Sequence, residues 1–234
     1  TKPFLNKEEI LERQQAVKCL STKLEWSQQF IATGISDKET ELDRDIIHQW
    51  LQEEISFSSL FLKFAAIALP AMTILALTLQ LFHLIGSELF TVLFFLQLII
   101  VGSQLKKINR VHNQLSRKLN TVEKYASLIQ LIENEKLDAE KLNQLKQKLT
   151  GSELGASLAI KRLKKLVDTL DARLNLIVAV VLNGTLLFDI NVMQRIEKWK
   201  TRHKNDFLTW IDVIGEFDAF ISLGIAAHNN PDYT

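Results

Sequence analysis

The chain has 234 residues, a formal net charge of +1 and a hydrophobic content of 47%. This length allows one large domain or two small ones with a real core, and the composition is too apolar for a disordered chain. A net charge near zero gives no overall field that would indicate nucleic acid or an anionic membrane as a partner.

The first predicted element is an amphipathic helix near the N-terminus. Asn6 is in place to cap it, and Glu9 follows at the spacing of a capping box. A second, shorter helix is predicted at about 41–55. Residues 1–59 are therefore interpreted as the N-terminal part of a helical core. In the first helix the residues predicted to face the core are Ile10, Val17, Leu20 and Leu24, and the second helix contains Ile46, Ile47, Trp50 and Leu51.

Two apolar runs follow, at 60–82 and 89–102, separated by a very short polar turn. About 20 apolar residues are needed to cross a hydrocarbon core of about 30 Å. The first run meets this length, and the second meets it when Leu84 and Ile85 are counted. Residues 60–103 are thus predicted to form a transmembrane helical hairpin. The alternative interpretation is a buried hairpin, or a dimer interface, in a soluble all-helical protein.

Basic residues give the hairpin a direction. Lys106, Lys107 and Arg110 follow the second run closely, and such residues favour the cytoplasmic side of a membrane. A hairpin returns the chain to the side from which it started. The prediction is therefore a protein on the cytoplasmic face of the inner (plasma) membrane, with a cytoplasmic protein as the alternative.

Residues 104–173 are long, polar and heptad-like, which predicts lever helices or an antiparallel coiled-coil arm. Gly151 is suited to end one helix, and Ser152 to start the next. The basic cluster at 161–165 has no interleaved aromatic residues that could stack on bases. It is interpreted as a solvated helix face. The predicted fold class is all-α, with a multi-helix core and lever, long antiparallel helices and an apolar hairpin.

The third apolar run, 174–192, is shorter than a comfortable membrane span. It is interpreted as a core helix that opens the C-terminal part of the helical core, 174–234, with a third membrane segment as the alternative. The closing amphipathic helix is predicted to dock against the core or against another domain. Its predicted docking residues are Trp210, Ile214, Phe217, Phe220 and Ile221.

No catalytic chemistry is predicted for this chain. "TGSELGAS" has the glycines of a phosphate-binding loop without the Lys-Ser/Thr pair that would follow them. The five His residues have no second ligand at metal spacing, and no nucleophile elbow is present. The sequence therefore predicts no catalytic, metal-binding or cofactor-binding residue here, and no enzyme activity.

Two segments, "FLNKEEILERQQAVKCL" and "VIGEFDAFISLGIAAHNNPDYT", resemble the MutS family of DNA mismatch-repair ATPases. The first segment is similar to the first helix of that family's core, or lever, domain. The second segment is similar to its last core helix. The positions that match the family are Phe4, Leu5, Glu9, Ile10, Arg13, Gln14, Ala16, Val17, Glu216, Asp218, Ser222 and Leu223.

The resemblance implies a lever region that couples ATP-driven changes in a downstream domain to a distant surface. It also implies that ATP and Mg²⁺ belong to that downstream domain, that the chain ends at the junction before it, and that the parent protein forms a dimer and contacts DNA. The apolar hairpin departs from the family and adds the lipid bilayer as a partner. The alternative function is a membrane-anchored coiled-coil adaptor with no nucleotide or DNA role.

Overall fold

The structure is a computed structural model that describes residues 6–35, 49–53, 57, 59–116, 119–151, 155–230 and 232. The prediction of an all-α protein is confirmed, and the described residues contain no β-strand. Nine α-helices and one 3-10 turn can be bounded in these ranges. They are α1 (Lys7–Ser21), α2 (Leu24–Gly34), α3 (Leu60–Leu81), α4 (Glu88–Ser116), α5 (Leu119–Asn134), α6 (Glu140–Thr150), α7 (Ala156–Leu170), the 3-10 turn (Asp171–Leu174), α8 (Leu176–Leu186) and α9 (Phe188–Asn229).

The chain divides into two compact units, each built from separate stretches of sequence. Unit 1 comprises Thr1–Asp43, Asn120–Arg162 and Asn205–Thr234. Unit 2 comprises Arg44–Leu119 and Leu163–Lys204. The division of the sequence into segments 1–59, 60–103, 104–173 and 174–234 stays a prediction.

The helices of unit 1 bury apolar side chains in the ordinary manner of a globular core. The Trp26 ring meets the Phe217 ring edge-on at 6.3 Å between centroids. Near the C-terminus of α9, Gly224 lies so close to α1 that an added Cβ would be 3.1 Å from Leu20 Cβ. In α6 the buried positions Leu142, Leu145 and Leu149 recur at helical spacing.

Polar contacts at the edge of this core join its helices. Lys23 Nζ donates to Glu135 Oε1 at 2.6 Å, and this hydrogen bond raises the pKa of Lys23. Lys146 Nζ donates to the carbonyl oxygen of Glu135, also at 2.6 Å. The ring of His228, near the end of α9, is hydrogen-bonded through Nδ1 to the carbonyl oxygen of Ser21. The first and last helices of the chain therefore meet in unit 1.

The predicted lever region contains several helices. α1 begins directly after Asn6, as predicted, although the Asn6 side chain makes no capping hydrogen bond. α6 ends at Gly151, as predicted, whereas Ser152 lies outside the described residues. The sequence did not indicate the interruption between α5 and α6 at residues 135–139. The basic residues at 161–165 lie on the face of α7 opposite its buried apolar side chains.

Unit 2 contains α3, α4, α8 and the first part of α9. α3 and α4 coincide with the two predicted apolar runs, and Ser59 Oγ caps α3 by accepting from Leu62 N. The third apolar run behaves differently from the prediction. It breaks at Leu187, whose φ is 47°, and only Asn183 and Gly184 of α8 are buried. Residues 176–186 are therefore not the predicted core helix, whereas Leu187, Ile190 and Val192 are buried.

An aromatic and charged cluster holds residues 49–53 and Phe57 against α9 within unit 2. The Trp50 ring stacks on Trp199 at 6.4 Å, and Lys200 Nζ lies 5.2 Å from the centre of the Trp50 ring. Glu197 Oε2 accepts from Phe57 N at 2.9 Å. Burial raises the pKa of Glu197 and lowers the pKa of Lys200. The predicted helix at 41–55 is described only at its end, where 49–52 are helical and Trp50 and Leu51 are buried.

Candidate functional site

The feature that distinguishes this chain is the apolar outer surface of α3, α4 and α8. On α3 and α4 the exposed side chains are mostly large hydrocarbons, a pattern that is unusual for a helix facing water. Those exposed by at least half are Leu60, Phe61, Phe64, Ile67, Met72, Ile74, Leu75, Leu81, Val92, Phe95 and Ile99. In the described residues, two helices are long and apolar enough to cross a membrane, and they are α3 and α4.

Two polar side chains, Thr73 and Gln97, meet on the inner surface of the same hairpin. Gln97 Nε2 donates to Thr73 Oγ1 at 2.6 Å, and both residues are buried. Thr73 Oγ1 in turn donates to the carbonyl oxygen of Leu69. The residues of α3 buried beside this pair are small, which allows close packing of helices: they are Ala65, Ala66 and Ala76. Polar groups inside and hydrocarbon outside is the arrangement expected in lipid.

Lysine and arginine residues are confined to the ends of the hairpin that join the rest of the chain. The sequence has no Lys or Arg from Phe64 to Leu105. Lys63 is exposed near the start of α3, and Lys106, Lys107 and Arg110 are exposed on α4 beyond its apolar part. The opposite end, the turn between α3 and α4, carries only Glu88 and His83 as ionisable residues. The basic residues thus lie at one end of the hairpin.

Pro70 interrupts the hydrogen bonds of α3, and a residue distant in sequence repairs the interruption. Proline has no N–H, so the carbonyl oxygen four residues earlier, on Ala66, loses its helical donor. Asn191 Nδ2 donates to that oxygen at 3.2 Å. The same amide donates to the carbonyl oxygens of Leu186 and Leu187 at 2.8 and 3.3 Å. Asn191 therefore ties the break in α3 to the corner between α8 and α9.

α8 is a short apolar helix that packs against both α3 and α4. Gly184 is in close contact with α4, because an added Cβ would overlap the ring of Phe94. The rest of α8 is largely uncovered, and Ile177 is 76% exposed. Asn175 caps the helix by accepting from Ile177 N and Val178 N. The next helix, α9, leaves at an angle of 78° to α8.

Ionic side chains brace the two ends of α8. Arg173 Nε lies 3.5 Å from Asp189 Oδ2, and Asp189 is 1% exposed. Arg173 also donates to Asn109 Oδ1 on α4 at 2.7 Å. At the far end of α8, Asn183 Oδ1 accepts from Asp189 N at 2.9 Å. The segments before and after α8 are thereby held together.

The predicted docking residues lie elsewhere, in the core of unit 1. Their side chains are almost completely covered by the chain itself, with Trp210 1% and Phe217 0% exposed. The set is Trp210, Ile214, Phe217, Phe220 and Ile221. Their packing against the helical core is seen here, and a role in docking to another domain stays a prediction.

The positions that resemble the MutS family are placed differently from these core residues. Phe4 and Leu5 lie outside the described residues, and Ala16 is buried. On α1 the matching residues Glu9, Ile10, Arg13 and Gln14 are exposed. On α9, Asp218, Ser222 and Leu223 are exposed and Glu216 is partly so. Most of the matching positions therefore lie on the surface of unit 1.

Sequence reasoning identified the hairpin and missed the residues that brace α8. These residues belong to no recognisable motif, and they are Arg173, Asn183, Asp189 and Asn191. A weak signal was available in Pro70, since an internal proline predicts an unpaired carbonyl that needs a donor. Within the described residues, no group of three or more His, Cys, Asp or Glu side chains could hold a metal ion.

Comparison with known proteins gives no further assignment. No protein-family model, curated protein or solved structure matches the chain at a significant level.

Proposed function

We propose that this chain is a membrane-anchored helical module of a MutS-like ATPase. The α3–α4 hairpin crosses the cytoplasmic membrane, and unit 1 lies on the cytoplasmic side. The observation that carries this proposal is the mainly apolar outer face of the hairpin, which covers a buried polar pair. Its hydrogen-bonded Gln97–Thr73 pair is inside, and its outer face is hydrocarbon. A bilayer favours this polarity, whereas water disfavours it.

The charge distribution supports the orientation. Lys63 at one end of α3 and Lys106 and Lys107 on α4 flank the same end of the hairpin, which favours that end for the cytoplasm. The turn between the helices, with no Lys or Arg, is the part carried to the other side. At about 1.5 Å per residue, the 22 residues of α3 reach about 33 Å, enough for a core of about 30 Å.

The link to a MutS-like ATPase is supported by the two motifs and by their position. The motifs lie at opposite ends of the sequence, and α1 meets the end of α9 in unit 1. The matching residues Glu9, Arg13 and Asp218 are exposed, so packing inside unit 1 does not account for them. An exposed surface built from both motifs is suited to contact the ATPase domain of the parent protein, which would hold ATP and Mg²⁺.

The module then works as a mechanical coupling element. Packed helices have discrete arrangements, so a change at the ATPase domain shifts unit 1 between states that a distant surface senses. In a membrane-anchored protein that surface includes the α3–α4 hairpin. Dimerisation and DNA contact of the parent protein remain part of the proposal through the resemblance alone.

The membrane part is tested by fractionation of the expressed chain. The unaltered chain should remain in the membrane pellet after extraction with alkaline carbonate, and detergent should release it. In a second variant, Phe64, Ile67, Phe95 and Ile99 are all changed to Ser. The outer face of the hairpin then becomes polar, as in a helix that faces water. We expect this variant to leave the membrane fraction. If the unaltered chain is also released by carbonate, the hairpin is not an anchor.

The coupling part is tested in the full-length parent protein in native membranes. ATP hydrolysis should be present there and absent from residues 1–234 alone. Arg13→Glu should lower hydrolysis by the parent, while the matched control Gln15→Glu on the same helix should not. A parent without hydrolysis would instead support the membrane-anchored adaptor, and the anchor itself would stand.

A further inference from the structure

α8 is the apolar helix whose placement the proposed hairpin leaves unexplained. It is 11 residues long, which at about 1.5 Å per residue gives about 16 Å, half of a hydrocarbon core of about 30 Å. Its exposed face continues the apolar exterior of the helices against which it packs. Together with the preceding turn, that face consists of Leu174, Leu176, Ile177, Val178, Val180, Val181 and Leu186.

Taken together, α8 and the start of α9 would be long enough to form a bent membrane span. Unit 1 argues against a crossing there. It combines residues 120–162, which precede α8, with residues 205–234, which follow it. Since one compact unit cannot lie on both sides of a membrane, the chain between 162 and 205 must cross an even number of times. One crossing by the α8–α9 pair is therefore excluded.

The contacts at the ends of α8 lead to the same result independently. A straight helix from Arg173 to Asp189 would separate their Cα atoms by about 24 Å at 1.5 Å per residue. An arginine and an aspartate side chain together do not bridge that distance, yet Arg173 Nε and Asp189 Oδ2 are 3.5 Å apart. The chain therefore enters and leaves the α8 segment in nearly the same place.

The backbone at the corner is also suited to a non-aqueous setting. Irregular backbone is tolerated at membrane depth only when its polar groups have partners within the protein. Asn191 Nδ2 donates to the carbonyl oxygens of Leu186 and Leu187, and Asn183 Oδ1 accepts from Asp189 N. These partners cover both sides of the bend at Leu187.

We infer that α8 is a half-inserted segment, which enters and leaves the bilayer on the side where unit 1 lies and exposes Ile177 and Val181 to the acyl chains of that leaflet. The inference rests on the proposed membrane anchor and adds a third lipid contact to it. Its occupant is lipid because the exposed face of α8 continues the outer surface of α3 and α4, with which it shares packing contacts. Insertion from one side would brace the hairpin where Asn191 and Gly184 join it.

The test uses the whole chain, reconstituted in vesicles of phosphatidylcholine and phosphatidylglycerol. Cys19 is replaced by Ser, and single cysteines are placed at Ile177 and Val181 of α8, at Ile99 as the lipid control and at Lys148 as the water control. Each is labelled with an environment-sensitive fluorophore, and spin-labelled lipids are added as quenchers. We expect both α8 positions to lose fluorescence as Ile99 does, and Lys148 to keep it.

The test is completed by finding the side of the membrane from which each position can be labelled. Cysteines at Lys148 and at Asp218 should react with a membrane-impermeant maleimide from the same side. Reaction from opposite sides would mean that the α8–α9 pair crosses, and would overturn the inference. Quenching at Ile99 without quenching at Ile177 and Val181 would overturn it too, with water or a second copy covering α8. No quenching at Ile99 would overturn the proposed anchor itself.

Discussion

Unit 1 and the α3–α4 hairpin differ in the residues that their exposed faces carry. In unit 1, Trp210 and Phe217 are buried while Asp218 is exposed. In the hairpin, Gln97 and Thr73 are buried while Phe95 and Ile99 are exposed. Helix-forming sequence and helical spacing are common to both. If the hairpin lies in a bilayer as proposed, the difference teaches that the surrounding medium, water or lipid, decides which face of a helix is apolar.

The largest expected effect comes from shortening a side chain in the core of unit 1. Phe217→Ala removes a fully buried ring and should lower the free energy of unfolding of unit 1 by about 3–5 kcal/mol. Ile99→Ala, on the outer face of α4, leaves no cavity and should have little effect. Thermal unfolding followed by Trp fluorescence in detergent measures both. Equal losses in the free energy of unfolding would mean that Ile99 is packed in a core as Phe217 is.

A lysine placed at an exposed apolar position should be costly in the hairpin and nearly neutral in unit 1. Ile99→Lys should cost about 2.5–3.5 kcal/mol of membrane insertion, the typical value for a charge near the centre of a span. Leu11→Lys, at an exposed leucine of α1, should change the stability of unit 1 by less than about 0.5 kcal/mol. A membrane-insertion assay measures the first and chemical unfolding the second. Tolerance of both lysines would place the outer face of α4 in water.

The break at Pro70 in α3 permits a double-mutant test. Asn191→Ala removes the side-chain amide that donates to the carbonyl oxygens of Ala66 and Leu186, while Leu187 O keeps the backbone N–H of residue 191. This change should destabilise unit 2 by about 1–3 kcal/mol. Pro70→Ala restores an N–H that can bond Ala66 O, so Asn191→Ala should cost less in that background. Detergent unfolding of the four proteins gives the coupling energy. Strict additivity would show that Asn191 does not serve the carbonyl that Pro70 leaves free.

Gly184 tests the close approach of α8 to α4. In Gly184→Ala the gain in helix propensity, about 1 kcal/mol, is opposed by contact with the Phe94 ring. With Phe94→Ala present, the same change should become stabilising. Unfolding of the single and double variants measures the sign. A stabilising Gly184→Ala in the unaltered chain would mean that the ring moves aside at no cost.

The smallest effect concerns the Lys23–Glu135 pair of unit 1. Its hydrogen bond raises the pKa of Lys23 in the folded state above the ordinary 10.5. The folded chain then binds the proton more tightly than the unfolded chain, so this stabilisation is full below pH 10.5 and is lost as the pH rises through the folded pKa. For a partly exposed pair it amounts to about 1 kcal/mol or less. Glu135→Gln should flatten the alkaline fall in stability, and an unchanged fall would contradict the assignment.

The sequence predicted the parts whose cause is local. The end of α6 at Gly151 and the bounds of α3 follow from glycine and apolar length. α1 begins after Asn6 as predicted, but the Asn6 side chain makes no capping hydrogen bond. The interruption at residues 135–139 was missed because heptad spacing continues on both sides of it. The exposure of α8 was missed because a short apolar run looks the same whether protein or lipid covers it. The Asn191–Ala66 contact joins residues 125 positions apart, which no local pattern encodes.

The most direct test of the central proposal is the sidedness of the hairpin turn. Single cysteines at Ser87 and at Lys148, in a chain with Cys19→Ser, are exposed to a membrane-impermeant maleimide in right-side-out and in inverted membrane vesicles. If α3 and α4 cross the bilayer, Ser87 should react only in right-side-out vesicles and Lys148 only in inverted ones. Reaction of both in the same preparation would contradict a membrane-spanning hairpin.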